Sequence, residues 1–328
     1  MSVSSRCLVY TGHRKSARVL TDLNEISEVL KDPTAFIWYD VVAPQPDDVA
    51  VVQEEFDLHP LAIEDALTLH QRSKIDTYEA YWFLIVHGVL HAGDVISVRE
   101  MAVFAGPRFF ITVRDNPAYP IDEIQRRWEH QPESLDCSSG TLLYAFLDTL
   151  VDGYWPAAEA LEERVAELEG MLFAEKNRAR DALIEIFNMK KVIQRFRKAV
   201  VPMREILISV LRNDLGLLAE GEVPYFRDIY DHATRVIEEI DAARDLVNSS
   251  LEIHLGLTAN QQNEVAKSLT IIATIFLPLS YLTGFFGQNF GFLINGIINP
   301  RAFWIFGVGL ELAALAILLS YFRRKRWL

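Results

Sequence analysis

Residues 263–290 read NEVAKSLTIIATIFLPLSYLTGFFGQNF, and between Ser268 and Pro300 the chain carries no charged residue. Farther on, Ala302–Phe322 is apolar except for Glu311. Each stretch supplies the roughly 20 residues needed to cross a hydrocarbon core. Two crossings are therefore expected, and they leave both termini on one side. Arg323, Arg324, Lys325 and Arg326 follow the second stretch directly, and such a basic cluster marks the cytoplasmic side. The opening residues, MSVSSRCLVYTGHRK, hold no apolar segment of the kind a cleavable leader needs.

Upstream of the first crossing, Gly221-Glu-Val-Pro224 punctuates the chain, and Pro224 suits a first helical turn. No breaker follows until Pro278. Ile229, Ala233, Val236, Ile240, Ala243 and Val247 alternate in steps of four and three, a heptad seam. A helix from about 225 to 286 would be roughly 90 Å long at ~1.5 Å per residue. A seam that runs into a membrane span reads as a stalk that associates with copies of itself.

The spacing continues into the apolar stretch, but the chemistry changes. Asn263, Ala266, Thr270, Ala273, Leu277, Ser280 and Gly284 share a face that is small or weakly polar, while Ile271, Ile272, Ile275 and Phe276 supply bulk elsewhere. Such a face suits close packing of membrane helices. It suits equally the wall of a water-accessible pore, with Leu269 or Leu277 as a dewetting constriction. Spacing alone leaves both open. At the outer end, Gly284-Phe-Phe-Gly287-Gln288-Asn289-Phe290 offers amide oxygens fit for a hard, hydrated cation such as magnesium, which gives up water reluctantly. A polar helix cap at the membrane interface fits the same residues.

The first ~135 residues read as mixed α/β. Strands are expected at Phe36–Val42, Trp82–Leu90, Val95–Phe104 and Arg108–Val113, with helices at Pro46–Phe56 and His59–Leu69. From Thr141 the pattern is helical. Ala157–Glu175 is acid-rich (Glu159, Glu162, Glu163, Glu167, Glu169), whereas Asp181–Val201 is basic (Lys190, Lys191, Arg195, Arg197, Lys198). An antiparallel pair whose opposite charges meet accounts for this, and a cation-collecting acidic face is the other reading. Pro202 is expected to end the basic helix, with another reaching about Leu218.

Of the net charge of −13, the segment from Asn263 onward contributes +4, with six basic residues against Glu264 and Glu311, so residues 1–262 carry −17. An acidic soluble part argues against nucleic acid and against anionic lipid head groups as partners. Cys7 and Cys137 form no paired motif, which points to reduced cytosolic thiols rather than a disulfide framework or a thiolate zinc site. No Walker A, GxGxxG, HExxH or GxSxG motif is present, so an enzyme is not expected. His87 and His91 lie four apart in a predicted strand, about 13 Å at ~3.3 Å per residue, too far to share one metal.

Asn263 to Leu279, with Gly284-x-x-Gly287-x-Asn289-Phe290, resembles the first membrane helix of the CorA family of divalent metal-ion (magnesium/cobalt) transporters, which has zinc-transporting ZntB proteins as near relatives. Tyr225-Phe-Arg-Asp-Ile-Tyr-Asp-His232 is similar to the start of that family's stalk helix, His59-Pro-Leu-Ala-Ile-Glu-Asp65 with His70-Gln-Arg-Ser-Lys74 to its cytosolic α/β domain, and the terminal Arg-Arg-Lys-Arg-Trp327-Leu328 to its basic tail. The resemblance implies a funnel-shaped homopentamer in a plasma or inner membrane: an α/β cytosolic domain, a long α-helical stalk and two C-terminal transmembrane helices. It places Gly287, Gln288 and Asn289 in the signature at the pore mouth. Asn263, Ala266, Leu269, Leu277 and Ser280 fall on pore-lining positions, with Thr270, Ala273 and Gly284 on the same stripe. Asp65 and Asp228, with Glu64 and His232 close by, match the carboxylates that sense cytosolic magnesium between subunits. The transported and regulatory ion it implies is magnesium, with cobalt, nickel or zinc as alternatives.

The expected plan is a cytosolic α/β domain at 1–135, a helical region at 136–222, a stalk at 223–267, spans at 268–288 and 302–322, an external loop at 289–301 and a basic tail at 323–328. Four features depart from the family pattern. Gln288 stands where Met is usual, Ala266 where a larger residue is common, loop 290–300 has no acidic residue, and Glu311 lies within the second span. A proton-coupled zinc transporter and a membrane cation sensor that does not conduct are the two competing functions.

Overall fold

Strands that are apolar at nearly every position must bury two faces, and this chain covers both. The computed structural model describes residues 5–11, 17–44, 46–68, 71–92, 95–117, 119, 121–130, 138–172, 179–288 and 299–327. Among them one sheet is formed by β1 (Arg6–Thr11), β2 (Arg18–Leu20), β3 (Ala35–Val42), β4 (Lys74–Thr77), β5 (Trp82–Ala92), β6 (Val95–Gly106) and β7 (Phe109–Arg114). Its order is β2-β1-β3-β7-β6-β5-β4. Only β3 and β7 run parallel, with Ile37 opposite Phe109 and Val42 opposite Arg114.

The two-residue period of the strands sorts their side chains between two layers. Ile37, Tyr39, Val41, Phe83, Ile85 and Phe104 pack with Ile26, Val49, Val52 and Ile63. Those partners come from α1 (Ile26–Val29), α2 (Pro46–Glu55) and α3 (Pro60–Leu67). Phe36, Trp38, Trp82, Leu84, Val86 and Phe110 face the opposite way and join Trp128, Phe146, Phe196 and Phe226. This second layer comprises α4 (Ile121–Glu129), α5 (Ser139–Asp152), α6 (Tyr154–Leu172), α7 (Ala179–Arg212) and the start of α8 (Val223–Phe286). The four predicted strands are present within two residues of their expected limits. The strands β1, β2 and β4 were not foreseen: β1 is apolar and buried from Cys7 to Tyr10 but short, while β2 and β4 are edge strands of three and four residues held by pairing.

A buried ion pair ties the parallel strands together. Arg114 forks onto Asp40 with Nε–Oδ1 3.0 Å and a terminal nitrogen to Oδ2 at 2.7 Å. Thr112 donates to Asp40 Oδ1 at 2.7 Å, and the other Arg114 nitrogen donates to the carbonyls of Asn116 and Tyr119. The charges are acceptable in the core because nearly every polar atom has a partner. Cys7 is buried in the same region, and burial pushes its thiol up to about 12. Cys137 lies outside the described residues.

Three expectations fail here. Pro202 does not end a helix: α7 runs unbroken from Ala179 to Arg212. An interior proline costs about 3 kcal/mol, but burial of Val200, Met203, Ile206 and Leu207 on the same helix holds the segment helical. Among the described residues, the acid-rich face of α6 and the basic face of α7 do not pair their charges either. Glu159, Glu162, Glu163, Glu167 and Glu169 are exposed, and the ion pair found between the two helices joins Arg164 to Glu185 at 2.6 Å, each the minority charge of its helix. The third correction concerns the seam. Ile229, Ala233, Val236, Ile240, Ala243 and Val247 are all buried, none more than 6% exposed, against α5–α7 of their own chain. Arg197 of α7 donates to Asp241 of α8 at 2.8 Å across the same contact. The heptad spacing is real, but its partner is internal.

The molecule divides into two compact units, Met1–Leu251 and Glu252–Leu328. The second contains the remainder of α8, a turn at Pro300–Ala302 capped by Asn299, a π-helical segment Phe303–Gly309 and α9 (Leu310–Arg324). Most of its large apolar side chains are exposed, Leu269 at 66%, Leu277 at 70% and Ile317 at 68%, while Phe322 and Ile271 are buried. Val223–Phe286 and Phe303–Arg324 are both long and apolar enough to cross a membrane.

Because the seam belongs to the core, Ile240→Ala is expected to destabilise the first unit by about 2–4 kcal/mol and leave the mass of the assembly unchanged. Thermal unfolding together with mass measurement in detergent checks both, and dissociation without a loss of stability would return the seam to an intermolecular role.

Candidate permeation path and cation-binding residues

Helix α8 carries the small-residue stripe to its end at Phe286. Along it, hydroxyl groups are satisfied by the helix itself: Ser268 donates to the Glu264 carbonyl at 2.9 Å and Thr270 to that of Ala266 at 2.8 Å. Asn263, Ala266, Leu269, Thr270, Ala273, Leu277, Ser280 and Gly284 all lie on the part of α8 that the chain's own core leaves uncovered, Leu269 and Leu277 being among its most exposed apolar side chains. Pro278 sits inside the helix, and its missing N–H leaves the Thr274 carbonyl without the usual helical donor. After Phe286, the Gly287 N–H still reaches the Thr283 carbonyl at 2.9 Å and Gln288 that of Phe285 at 3.3 Å. A Cβ at Gly287 would come to 3.0 Å from the Thr283 carbonyl, so a side chain there would require that carbonyl to shift by a few tenths of an ångström. Asn289 lies outside the described residues.

The sensor candidates occupy two places. Asp65 and Glu64 lie on α3, whose first turn is set by Pro60 and by His59, which accepts the Leu61 N–H. Glu64 is exposed, whereas Asp65 is held by Lys74 at 2.7 Å, and the same ammonium bridges to Asp76 at 2.6 Å. Asp228 and His232 lie one turn apart on α8, 3.9 Å from each other. Among the described residues no three His, Cys, Asp or Glu side chains converge on one metal position. His87, by contrast, is satisfied within the fold, 2.7 Å from the Ser73 hydroxyl and 3.7 Å from Glu100.

Sequence reasoning missed the residues that surround Asp228. On α5, Tyr144, Asp148 and Asp152 recur every four residues and so share a face. Arg127 of α4 reaches Asp148 at 3.2 Å, Asp152 at 2.7 Å and Glu123 at 3.2 Å. Burial, then the charge of Asp152, raises the Asp148 carboxyl to about 6, with Arg127 and His232 opposing and Asp228 adding to the rise. Burial and the nearby Asp148, Asp228 and Asp152 also push Tyr144 up to about 12. One arginine thus faces several acids, and the excess negative potential favours an added cation. The available signal was Asp148 itself, an isolated acid in the otherwise apolar run LLYAFLDTLV.

Two helices are long and apolar enough to cross a membrane, and one of them ends in the Gly287-Gln288 turn. The model of the family described as CorA-like Mg2+ transporter protein matches residues 33–324, and the chain belongs to that family. The cobalt/magnesium transport protein CorA of Thermotoga maritima is 28% identical over 343 aligned residues, which cover 98% of this chain and 95% of that protein. The complete structure of the CorA magnesium transporter from Methanocaldococcus jannaschii matches all of both chains with a TM-score of 0.79 at 20% identity. The ZntB cytoplasmic domain from Vibrio parahaemolyticus matches 79% of this chain and 98% of that one, with a TM-score of 0.60 at 14% identity. The two structural likenesses concern the fold.

Asp148 has a raised pKa in the folded state, so its contribution to stability is complete below the unfolded value and is lost as pH rises through about 6. Asp148→Asn is expected to stabilise the metal-free protein by about 2 kcal/mol at pH 7.5, and by much less at pH 4.5. Unfolding in chelator at the two pH values measures this; equal effects at both would show that the acid cluster is not under electrostatic strain.

Proposed function

We propose that this chain is one subunit of a homopentameric channel that admits divalent cations, magnesium first, into the cytoplasm. The observation that carries the proposal is the contrast along α8. Its first half is consumed by the chain's own core, while its apolar half presents a bare, small or weakly polar stripe ending at Gly287-Gln288. Family membership supports transport as the use of that stripe. In a ring, such faces would surround an axis, with Leu269 or Leu277 as a constriction and amide oxygens of Gln288 and Asn289 at the mouth. A hydrated magnesium ion would be held through its water shell.

The proposed topology has residues 1–267 in the cytoplasm as α/β domain, helical region and stalk. Spans at 268–288 and 302–322 flank an external loop, and the basic tail 323–328 returns to the cytoplasm. Regulation follows from the carboxylates. Asp65 on one subunit and Asp228 on its neighbour, with Glu64 and His232 close by, would take a cytosolic cation that offsets their repulsion and favours the closed, symmetric ring. Lys74 pairs with Asp65 at 2.7 Å, and the excess acid around Asp148 adds to the attraction at Asp228.

Asn289→Ala should abolish magnesium uptake by proteoliposomes while the pentamer still assembles, because it deletes one amide oxygen and leaves the core half of α8 untouched. Near-parental flux in an assembled variant would remove the amide ring from selectivity. Asp228→Ala and Asp65→Ala should each need more magnesium than the parent for protection against protease. Protection of both at the parental concentration would dismiss the sensor assignment.

A further inference from the structure

Glu311 is the acid within the second apolar stretch, and it has a specific partner. Its Oε1 lies 2.7 Å from Thr283 Oγ1 on α8. The same hydroxyl is 2.9 Å from the Leu279 carbonyl, and the Thr283 carbonyl accepts the Gly287 N–H at 2.9 Å. Hydrogen bonds therefore run from Glu311 through one residue, Thr283, to the turn that ends α8. The carbonyl at the end of this chain is the one that a side chain at Gly287 would crowd at 3.0 Å. The segment before Glu311 is also unusual. Phe303–Gly309 is π-helical, and α9 resumes at Leu310. A π-segment rotates the residues downstream of it relative to a continuous α-helix, and such segments recur at functional positions. Here the residue presented just after it is the carboxyl that meets Thr283.

We propose that Glu311 is a positioning residue for permeation: by holding Thr283 it fixes the outer turn of α8, and so where Gly287 and Gln288 stand at the pore mouth. The proposal rests on reading α8 as the pore-lining helix. A carboxyl in hydrocarbon is costly unless paired, so the contact with Thr283 has few competitors. Glutamine keeps one acceptor and one donor at the same reach and preserves the contact in either hydrogen-bond direction. Leucine preserves only bulk.

The test compares the full-length parent with Glu311→Gln, Glu311→Leu and Thr283→Val in liposomes, with assembly checked by mass in detergent. Two readouts are taken: the ratio of magnesium to cobalt uptake, and the rate at which a Gln288→Cys reporter, in a Cys137→Ser background, reacts with an impermeant maleimide. Glu311→Gln is expected to stay within about twofold of the parent in both, while Glu311→Leu and Thr283→Val change each by about fivefold or more, and Glu311→Leu combined with Thr283→Val is no worse than the worse of the two alone. Parental ratio and parental reactivity in an assembled Glu311→Leu would overturn the proposal. So would an assembled Glu311→Gln that loses uptake driven by a pH gradient, because a proton-carrying role would then replace positioning. Should the leucine variant fail to assemble, Thr283→Val decides by the same criteria, since it removes one hydroxyl and keeps the shape. A parent without flux, whose reporter still responds to Glu311→Leu, would sustain the positioning role and defeat the channel reading instead.

Discussion

A backbone that enters hydrocarbon must supply its own hydrogen bonds, since no water is available to replace them. Everything in the second unit depends on α8 meeting that condition. Isolated helices nucleate poorly, but α8 does not start in isolation. Phe226, Ile229, Ala233, Val236 and Ile240 are buried in the core of the first unit, so the ladder is already formed before the apolar residues begin. Pro278 removes one donor without ending the helix, which continues to Phe286. The second helix is short and local by comparison, and its one acidic side chain is satisfied by α8.

Much of this was legible in the sequence because periodicity is a local property. The helix from 225 to 286, the two apolar stretches and the main strands follow from spacing and composition alone. The partner that covers a seam is not a local property. Ile229 to Val247 satisfy a heptad whether the partner is α7 or another copy, and only the fold shows that α5–α7 take the place. Pro202 misled for a related reason: a propensity of about 3 kcal/mol yields to a helix face buried along its length. The acid-rich and basic helices misled because charge on a sequence does not say which way a side chain points. Glu162 and Glu167 face solvent, while Arg164 finds Glu185.

The candidate site divides in the same way. Asp228 and His232 stood out by resemblance, and Gly287 by chemistry. Asp148, Asp152 and Arg127 did not, because their significance lies in three helices meeting. The Asp148 carboxyl is drawn upward by burial and by Asp152. Asp65 has meanwhile an ammonium from its own chain, Lys74, in salt-bridge contact.

Gln288 at the pore mouth and Glu311 in the second span both bear on which ion passes and whether protons accompany it. A competition flux assay on reconstituted full-length protein, across magnesium, cobalt, nickel and zinc with and without a pH gradient, addresses both questions directly. Magnesium uptake is expected to proceed without a pH gradient and to be reduced by competing cobalt or nickel. Zinc uptake that requires a proton gradient, with no magnesium flux above that of empty liposomes, would contradict it.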